Sequence, residues 1–391
     1  MEKTILDKAK EMQDWLVEHR RDFHRHPELS FKEFRTSKII KEELEKMGIE
    51  TKTIGETGVI GIINGRESGK VIGLRADMDA LPVKEDTGLD YTSENEGVMH
   101  ACGHDAHISM LLGAAKLLSG MKNDFKGTVK IIFQPAEETG RGARSIIEEG
   151  VLENPPVDVI VGMHIFADFP CEKIVLQEGP LMASSDTWKL EVIGKQAHGS
   201  APWQGVDANV CAIAITQAFQ TIVSRVNDAR SPIVINVGTI QGGERFNITS
   251  GKVTMEGMNR SFNDEARKMI PVWMERVIKG ICSAYDCEYN FKYGMLVGAV
   301  INDADVIKQL KKSVGSFLGE ENIIQVEKIM AGEDFSEYMI NLKGAIMLLG
   351  AGNTEEDCIY SLHSDHFKID ENAMPIGVAS YVQAAMDFLN I

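Results

Sequence analysis

Short, almost continuously apolar runs alternate with helical patterns through the first 180 residues. "GVIGIING" (58–65), "KVIGLRAD" (70–77), "TVKIIFQP" (128–135) and "VDVIVGMH" (157–164) predict strands. Between them, "DAHISMLLGAAKLLSG" (105–120) and "GARSIIEEG" (142–150) predict helices. Strands apolar on both sides belong to an α/β sheet covered on both faces. Residues 1–47 read as helices, and "RTSKIIKEELEKMG" closes on Gly48 as a C-cap. Late in the chain, "GAIMLLG" (344–350) and a helical pattern over 372–389 resume the same style.

The middle reads differently. "TWKLEVIG" (187–194) alternates apolar and polar positions, as a half-exposed strand does. A helical pattern over 207–226 follows, then two strands, "SPIVINVGTI" and "KVTMEGMNRSF". A helical pattern over 264–285, containing Pro271, and the strand "CEYNFKYGMLV" complete the series. The order β-α-β-β-α-β is the ferredoxin-like split arrangement. The expected architecture is therefore an α/β domain made of residues 1–183 and 300–391. Into it a compact ferredoxin-like domain, residues 184–299, is inserted.

Length agrees: 391 residues favour two domains over one core. No apolar run approaches the roughly 18–20 residues of a membrane span. The charged N-terminal stretch lacks the apolar core of a signal peptide. With 41 basic against 58 acidic residues, the net charge of -17 argues against nucleic acid or an anionic membrane as partner. The six cysteines form no CxxC pair and no framework, so reduced thiols in the cytoplasm are expected. Cys211 and Cys282 fall in apolar helical patterns and read as core. Cys102 alone has ligand-type neighbours, in "HACGHDAH" (100–107).

The polar clusters sit at strand ends. "RADMDALP", "QPAEETG" and "GMH" each follow or end a predicted strand, so Asp77, Asp79, Glu137, Glu138 and His164 could share one rim of the sheet. "HACGHDAH" opens a helix and can reach the same rim. In "PAEETG", two adjacent carboxylates point different ways: one can hold a metal while the other acts as base. A solvated helix start is the competing reading. "LHSDHF" contributes His363 and His366, and "QAHGSAP" places His198 in a loop of the inserted domain; surface roles compete for all three. Rival chemistries lack their motifs. No HExxH, GxSxG, P-loop or strand-borne GxGxxG is present, and "HPE" (26–28) has no PCxxC to complete a nucleobase deaminase.

Eight segments taken together carry a resemblance: "RRDFHRHPELSFKE", "GLRADMDALPV", "MHACGHDAH", "FQPAEETGRGA", "GMH", "GKQAHGSAPWQGVDA", "GEDF" and "LHSDHF". In this order they resemble the aminoacylase and carboxypeptidase family of dinuclear metallopeptidases and amidohydrolases, in its hippurate hydrolase branch. The resemblance implies an α/β metal domain with an inserted lid or dimerisation domain. It implies two divalent ions (Zn, Mn, Co or Ni) held by Cys102, His104, Glu138, His164 and His363, with Glu137 as general base. It makes His198 a lid residue that stabilises an oxyanion, in its own subunit or across a dimer interface. Asn247 and Arg260 would hold a substrate carboxylate. Here the chain departs from its relatives: "NITSGKVTMEGMNRSF" differs at Ser250, Gly251 and Met258, which bears on the shape of that end of the site.

Around the ligands, Asp77 and Asp79 are expected to orient them from behind. Asp105 is expected to cap the following helix or to support ligands from the same position. His100 and His107 read as bystanders or as support behind the ligands; His24 and His26 pack or lie on the surface. The expected activity is metal-dependent hydrolysis of the amide bond of N-acyl-L-amino acids, N-acetyl, benzoyl or similar. Water activated by metal would attack, with the Glu base taking its proton. Short-peptide hydrolysis, or non-catalytic metal or ligand binding, are the alternatives. A homodimer or higher homo-oligomer through the inserted domain is the implied assembly.

Overall fold

The computed structural model describes residues 3–390. Internal contacts divide the chain into two compact units. The larger contains residues up to Gly179, Ile301–Glu327 and residues from Asp334 on; the smaller contains Pro180–Val300 and Lys328–Glu333. The smaller unit thus takes in a second chain segment that the apolar pattern did not mark. Ile329 donates its N–H to the Leu181 carbonyl, and the Ala183 N–H is shared by the carbonyls of Ile329 and Ala331, which knits the two pieces together.

In chain order the helices are α1 (Ile5–Lys10), α2 (Gln13–Arg25), α3 (Phe34–Lys46), α4 (His104–Gly120), α5 (Gly142–Glu148), α6 (Ala208–Thr221), α7 (Asp264–Ala284), α8 (Ala304–Leu318) and α9 (Met374–Leu389). The strands are β1 (Glu50–Ile54), β2 (Gly58–Asn64), β3 (Val71–Asp77), β4 (Thr128–Gln134), β5 (Val159–Pro170), β6 (Ile174–Val175), β7 (Gly179–Met182), β8 (Ser185–Ile193), β9 (Ile233–Gly242), β10 (Lys252–Ser261), β11 (Glu288–Val297), β12 (Val300–Asn302), β13 (Ile323–Ile324) and β14 (Lys343–Gly352). No described helix is long and apolar enough to cross a membrane.

The larger unit is built on a mixed eight-stranded sheet in the order β1-β2-β4-β3-β5-β14-β6-β13. Its centre, β4-β3-β5-β14, is parallel. β3 is buried at every position: its first four residues are an apolar run, and the buried Arg75 and Asp77 near its end pair with each other. α4 is apolar on nearly all sides and correspondingly buried, and it packs on the sheet against α9 and α2. The edge strand β1 (ETKTI) is mostly solvent-facing, so its polar sequence carried no strand signal.

The smaller unit runs β8-α6-β9-β10-α7-β11, with an antiparallel sheet in the order β11-β8-β10-β9. This is the ferredoxin-like arrangement. Along β8, Trp188, Leu190 and Val192 face inward and alternate with less buried residues, the period-2 pattern seen in the sequence. α6 and α7 cover that face with Cys211, Ile215, Phe219, Ile270, Met274, Ile278 and Cys282. α7 continues through Pro271, and α6 gives way at Ile222–Val226 to one wider π-helical turn.

Candidate metal centre

Strand register brings the polar clusters of the larger unit together. Asp77, the last residue of β3, lies beside Gln134, the last of β4. Arg75 pairs with Gly162 on β5, so His164 comes two residues later, level with Asp77. Three residues past β4, a tight turn presents Glu137 and Glu138. Its first residue, Ala136, is left-handed at φ 56°, and Gly142 closes it so tightly that a Cβ there would lie 1.8 Å from the Pro135 carbonyl oxygen. "HACGHDAH" enters α4 through Gly103 at φ 82°, where a Cβ would lie 2.5 Å from Ile165 Cγ2. Only glycine lets Cys102 and His104 approach β5 this closely. His363 is also left-handed, at φ 67°, and its N–H bonds the Ala101 carbonyl at 2.8 Å, seating it beside Cys102.

The five expected ligands meet in overlapping groups whose donor atoms lie within 4.8 Å of one another. The groups are Cys102, His104 and His164; Cys102, Glu138 and His363; and His104, Glu137 and Glu138. Cys102 Sγ is 3.4 Å from His164 Nε2, and Glu138 Oε1 is 3.4 Å from His363 Nε2 and 4.0 Å from His104 Nε2. Cys102, His104 and His164 are buried, whereas the His363 side chain is 54% exposed, so the cluster opens to solvent on that side.

Two observations fit this set to divalent ions. His104 Nε2 and Glu138 Oε1 are buried without a hydrogen-bond partner, facing each other. The surrounding field is strongly negative. Burial, then Glu138, Glu137 and Asp77, push the Cys102 thiol well above its ordinary pKa. Burial works against a charged His104, but Asp77, Asp79 and Glu138 hold it up to about 10. Cations bound among these groups reverse both tendencies, giving thiolate and neutral imidazole.

The groups behind the ligands are specific. Asp79 Oδ1 accepts the Glu137 N–H at 2.9 Å; Oδ2 accepts the Glu138 N–H at 3.2 Å and the Ser30 hydroxyl at 2.6 Å. The Asp79 carbonyl accepts from His104 Nδ1 at 2.8 Å, which leaves Nε2 as the lone-pair nitrogen. The Ile165 carbonyl does the same for His164 Nδ1 at 2.8 Å. Asp77 lies 2.6 Å from Arg75 Nη1 and 2.5 Å from His107 Nδ1. Since His107 Nε2 accepts the Ile165 N–H at 2.8 Å, both of its ring nitrogens are engaged. His100 is buried with neither nitrogen hydrogen-bonded, and burial lowers its pKa to about 3.

Asp105 differs from the expected cap. α4 begins at His104, Gly103 is its N-cap, and no side chain caps it. The Asp105 carboxylate accepts from Ala106 N–H and meets Arg20 Nε and His24 Nδ1, each at 2.8 Å. It therefore ties α4 to α2 rather than orienting a ligand. His24 is buried in that network, and His26 is half-buried. His366 bonds the Asp86 carbonyl and joins none of the ligand groups found among the described residues.

Within the smaller unit, His198 and Asn247 are neighbours: His198 pairs with Ile248, and the Gly199 N–H bonds the Asn247 carbonyl at 2.7 Å. His198 is exposed, and its Nδ1 accepts from Ser200 N–H and hydroxyl. Asn247 Oδ1 is buried without a partner. Arg260 on β10 is steadied by the Met330 carbonyl at 3.1 Å and the Ser185 hydroxyl at 2.8 Å.

Sequence reading assigned no role to Asp334, although "GEDF" was among the matching segments. Its N–H lies 3.3 Å from Glu137 Oε1, and its carboxylate accepts from Ala143 N–H, Gln134 Nε2 and Arg75 Nη2. Ser30, Arg75 and Gln134 were likewise invisible, since nothing local in "ELSF" or "FQPA" says which distant carboxylate each will meet.

Comparison with known proteins shows the family. The model of "Peptidase family M20/M25/M40" matches residues 73–387. Thermostable carboxypeptidase 1 of Saccharolobus solfataricus is 38% identical over 99% of this chain and 98% of its own length. N-acetylcysteine deacetylase of Bacillus subtilis is 38% identical over 95% of this chain and 96% of its own. The crystal structure of the Bacillus subtilis YXEP protein, described as a dinuclear metal-binding peptidase from the M20 family, superposes with a TM-score of 0.85 at 36% identity, covering 97% of this chain and 99% of that one. With sequence similarity running end to end and the family's model spanning most of the chain, this protein belongs to peptidase family M20/M25/M40 and is a hydrolase.

Proposed function

We propose that the protein hydrolyses the amide bond of N-acyl-L-amino acids, with Cys102, His104, Glu138, His164 and His363 holding two divalent ions and Glu137 as general base. The observation that carries this reading is the turn after β4. It sets one carboxylate, Glu138, among Cys102, His104 and His363, and the adjacent one, Glu137, beside His104 with its own backbone anchored to Asp79. When bound, such ions lower the pKa of water and polarise a carbonyl oxygen. Glu137 takes a proton from the attacking water and delivers it to the leaving nitrogen. The Asp334 N–H, 3.3 Å from Glu137 Oε1, helps fix the orientation of this carboxylate. His198 donates to the oxyanion, and Asn247 and Arg260 hold the free carboxylate of the amino acid, a task suited to a guanidinium. Likeness to a deacetylase of N-acetylcysteine supports small acyl groups.

Likeness to a carboxypeptidase favours a second reading, in which short peptides are cleaved by the same groups. Small-molecule substrates, a cytoplasmic location and a homo-oligomer formed through the smaller unit complete the proposal. The cytoplasmic location is supported by cysteines that show no pairing pattern.

The test is turnover of acetyl, benzoyl and longer N-acyl amino acids and of dipeptides after loading with Zn, Mn or Co. Activity should vanish with a chelator and return with metal. Glu137→Gln should keep its metal and lose turnover; a Glu137→Gln enzyme as active as wild type rules out that base.

A further inference from the structure

The segment "HPELSFKE" is far from the metal centre in sequence, and the chemistry above draws on it only for the Ser30 hydroxyl on Asp79. Its Glu33 is fully buried. Oε2 accepts the Thr57 hydroxyl at 2.8 Å. Oε1 accepts two backbone N–H groups, Phe31 and Ala136, each at 2.9 Å. These two acceptor contacts share a property: Phe31 (φ 61°) and Ala136 (φ 56°) are both non-glycine residues in the left-handed region. L-residues hold that conformation only when their surroundings impose it.

Ala136 immediately precedes Glu137 and Glu138. Three consecutive amides of this turn, Ala136, Glu137 and Glu138, are thus held by carboxylates from elsewhere, the first by Glu33 and the next two by Asp79. Release of the first lets Ala136 relax to negative φ. That rotation turns the peptide plane entering Glu137 and carries both carboxylates with it. A backbone displacement of this kind acts on geometry, not on substrate contacts.

We infer that Glu33 is a positioning residue for the hydrolytic reaction: its carboxylate holds Ala136 left-handed and so aims Glu137 and Glu138 together. This rests on the reading of Glu137 as base and Glu138 as ligand. The inference separates Glu33 from Glu28 on the same loop. The Glu28 carboxylate accepts from the N–H groups of Arg35 and Thr36 in the first turn of α3 and from nothing in the 135–140 turn.

The experiment compares Glu33→Leu, Glu33→Asp, Glu33→Gln, Glu28→Ala, Glu137→Gln and the double variant Glu33→Leu with Ala136→Gly. Each is measured for kcat, KM, Tm and Mn affinity by competition against a chromophoric chelator. Glu33→Leu should lower kcat and Mn affinity by about 10–100-fold, the range for groups that support ligands, with KM within about twofold. Glu33→Asp, which keeps the charge but retracts it, covers the case in which the leucine variant does not fold, and should lose at least about tenfold in both. Glu33→Gln, whose amide oxygen can accept both N–H groups, should be close to wild type. Ala136→Gly should restore part of what Glu33→Leu loses, since glycine adopts positive φ unaided. Glu28→Ala should lower Tm without lowering kcat. The inference is overturned if Glu33→Leu and Glu33→Asp keep wild-type kcat and Mn affinity, or if Glu28→Ala lowers kcat as much as they do. Retained turnover in Glu137→Gln sinks the base assignment instead, and the Mn-affinity arm then still decides the role of Glu33 through Glu138.

Discussion

Replacing Asp79 with Asn tests how the centre is held, because the change conserves shape while turning a charged double acceptor into one acceptor and one donor. In the wild type, two oxygens serve three donors: Glu137 N–H on Oδ1, and Glu138 N–H and the Ser30 hydroxyl on Oδ2. An asparagine offers one oxygen and one NH2. If the oxygen keeps Glu137 at 2.9 Å, the NH2 faces Ser30 and Glu138. The Ser30 hydroxyl can turn and accept, but the Glu138 N–H cannot, so one buried donor is orphaned beside another donor. An orphan of this kind costs about 1–3 kcal/mol, and at about 1.4 kcal/mol per decade that is roughly 5- to 150-fold. The loss falls on the residue proposed to join the metal set, so metal affinity should drop with it. The hydrogen bond that orients His104 should survive, because it is made to the Asp79 backbone carbonyl, although the negative charge beside that ring is lost. The assay is competitive metal titration together with kcat on an N-acyl amino acid. Metal affinity and kcat should both fall. Unchanged affinity and unchanged kcat in a folded Asp79→Asn protein would refute the argument that this carboxylate anchors the turn.

Gly103→Ala combines a left-handed alanine with a Cβ 2.5 Å from Ile165 Cγ2; it should cost about 2–5 kcal/mol in a urea titration and reduce bound metal. Lys130 is buried on β4 and donates to the carbonyls of Val151, Glu153 and Pro155. Lys130→Met should lower stability by about 2–4 kcal/mol while the folded fraction keeps its kcat; equal urea midpoints would contradict this. Glu85 gives a pH prediction. Burial opposes its charged form, but bonds from His24 and Thr87 and the Ser93 N–H bring its pKa below the ordinary carboxylate value. A depressed folded pKa means the stabilisation is present above the unfolded pKa of about 4.3 and is lost as pH falls through the folded value. Glu85→Gln should therefore lower Tm near neutral pH and flatten its decline on the acid side; parallel Tm–pH curves would show that this carboxylate contributes nothing.

Much of this architecture is written in local patterns. Strands buried on both faces are mainly apolar, with any buried polar side chain paired, so β3, β4 and β5 announce themselves, and the alternation along β8 marks a sheet with one open face. β1 is silent because a mostly solvated edge needs no apolar residues. Composition and motif position bring Cys102, Glu137, Glu138 and His164 forward as ligand-type or acid–base residues near one rim, and the resemblance to a known family, not spacing, is what selects His104 and His363 from among their neighbouring histidines.

Tertiary structure decided which of these groups could act together. His104 and His107 lie on one helix, three residues apart, and local sequence treats them alike. Their partners separate them: the Asp79 carbonyl frees His104 Nε2, whereas Asp77 and the Ile165 N–H occupy both nitrogens of His107. Asp105 sits where a cap or a ligand support is expected, yet Arg20 and His24 claim it. Glu33, Asp79 and Asp334 stand as three ordinary acids in the sequence. Only the parallel register of β3, β4 and β5 and the packing of the loops around their ends bring Glu33 and Asp79 to successive amides of one strained turn, and the Asp334 N–H to the Glu137 carboxylate. A hydrogen bond depends on positions within tenths of an ångström, and residues up to about three hundred apart acquire such positions only when the whole core has assembled.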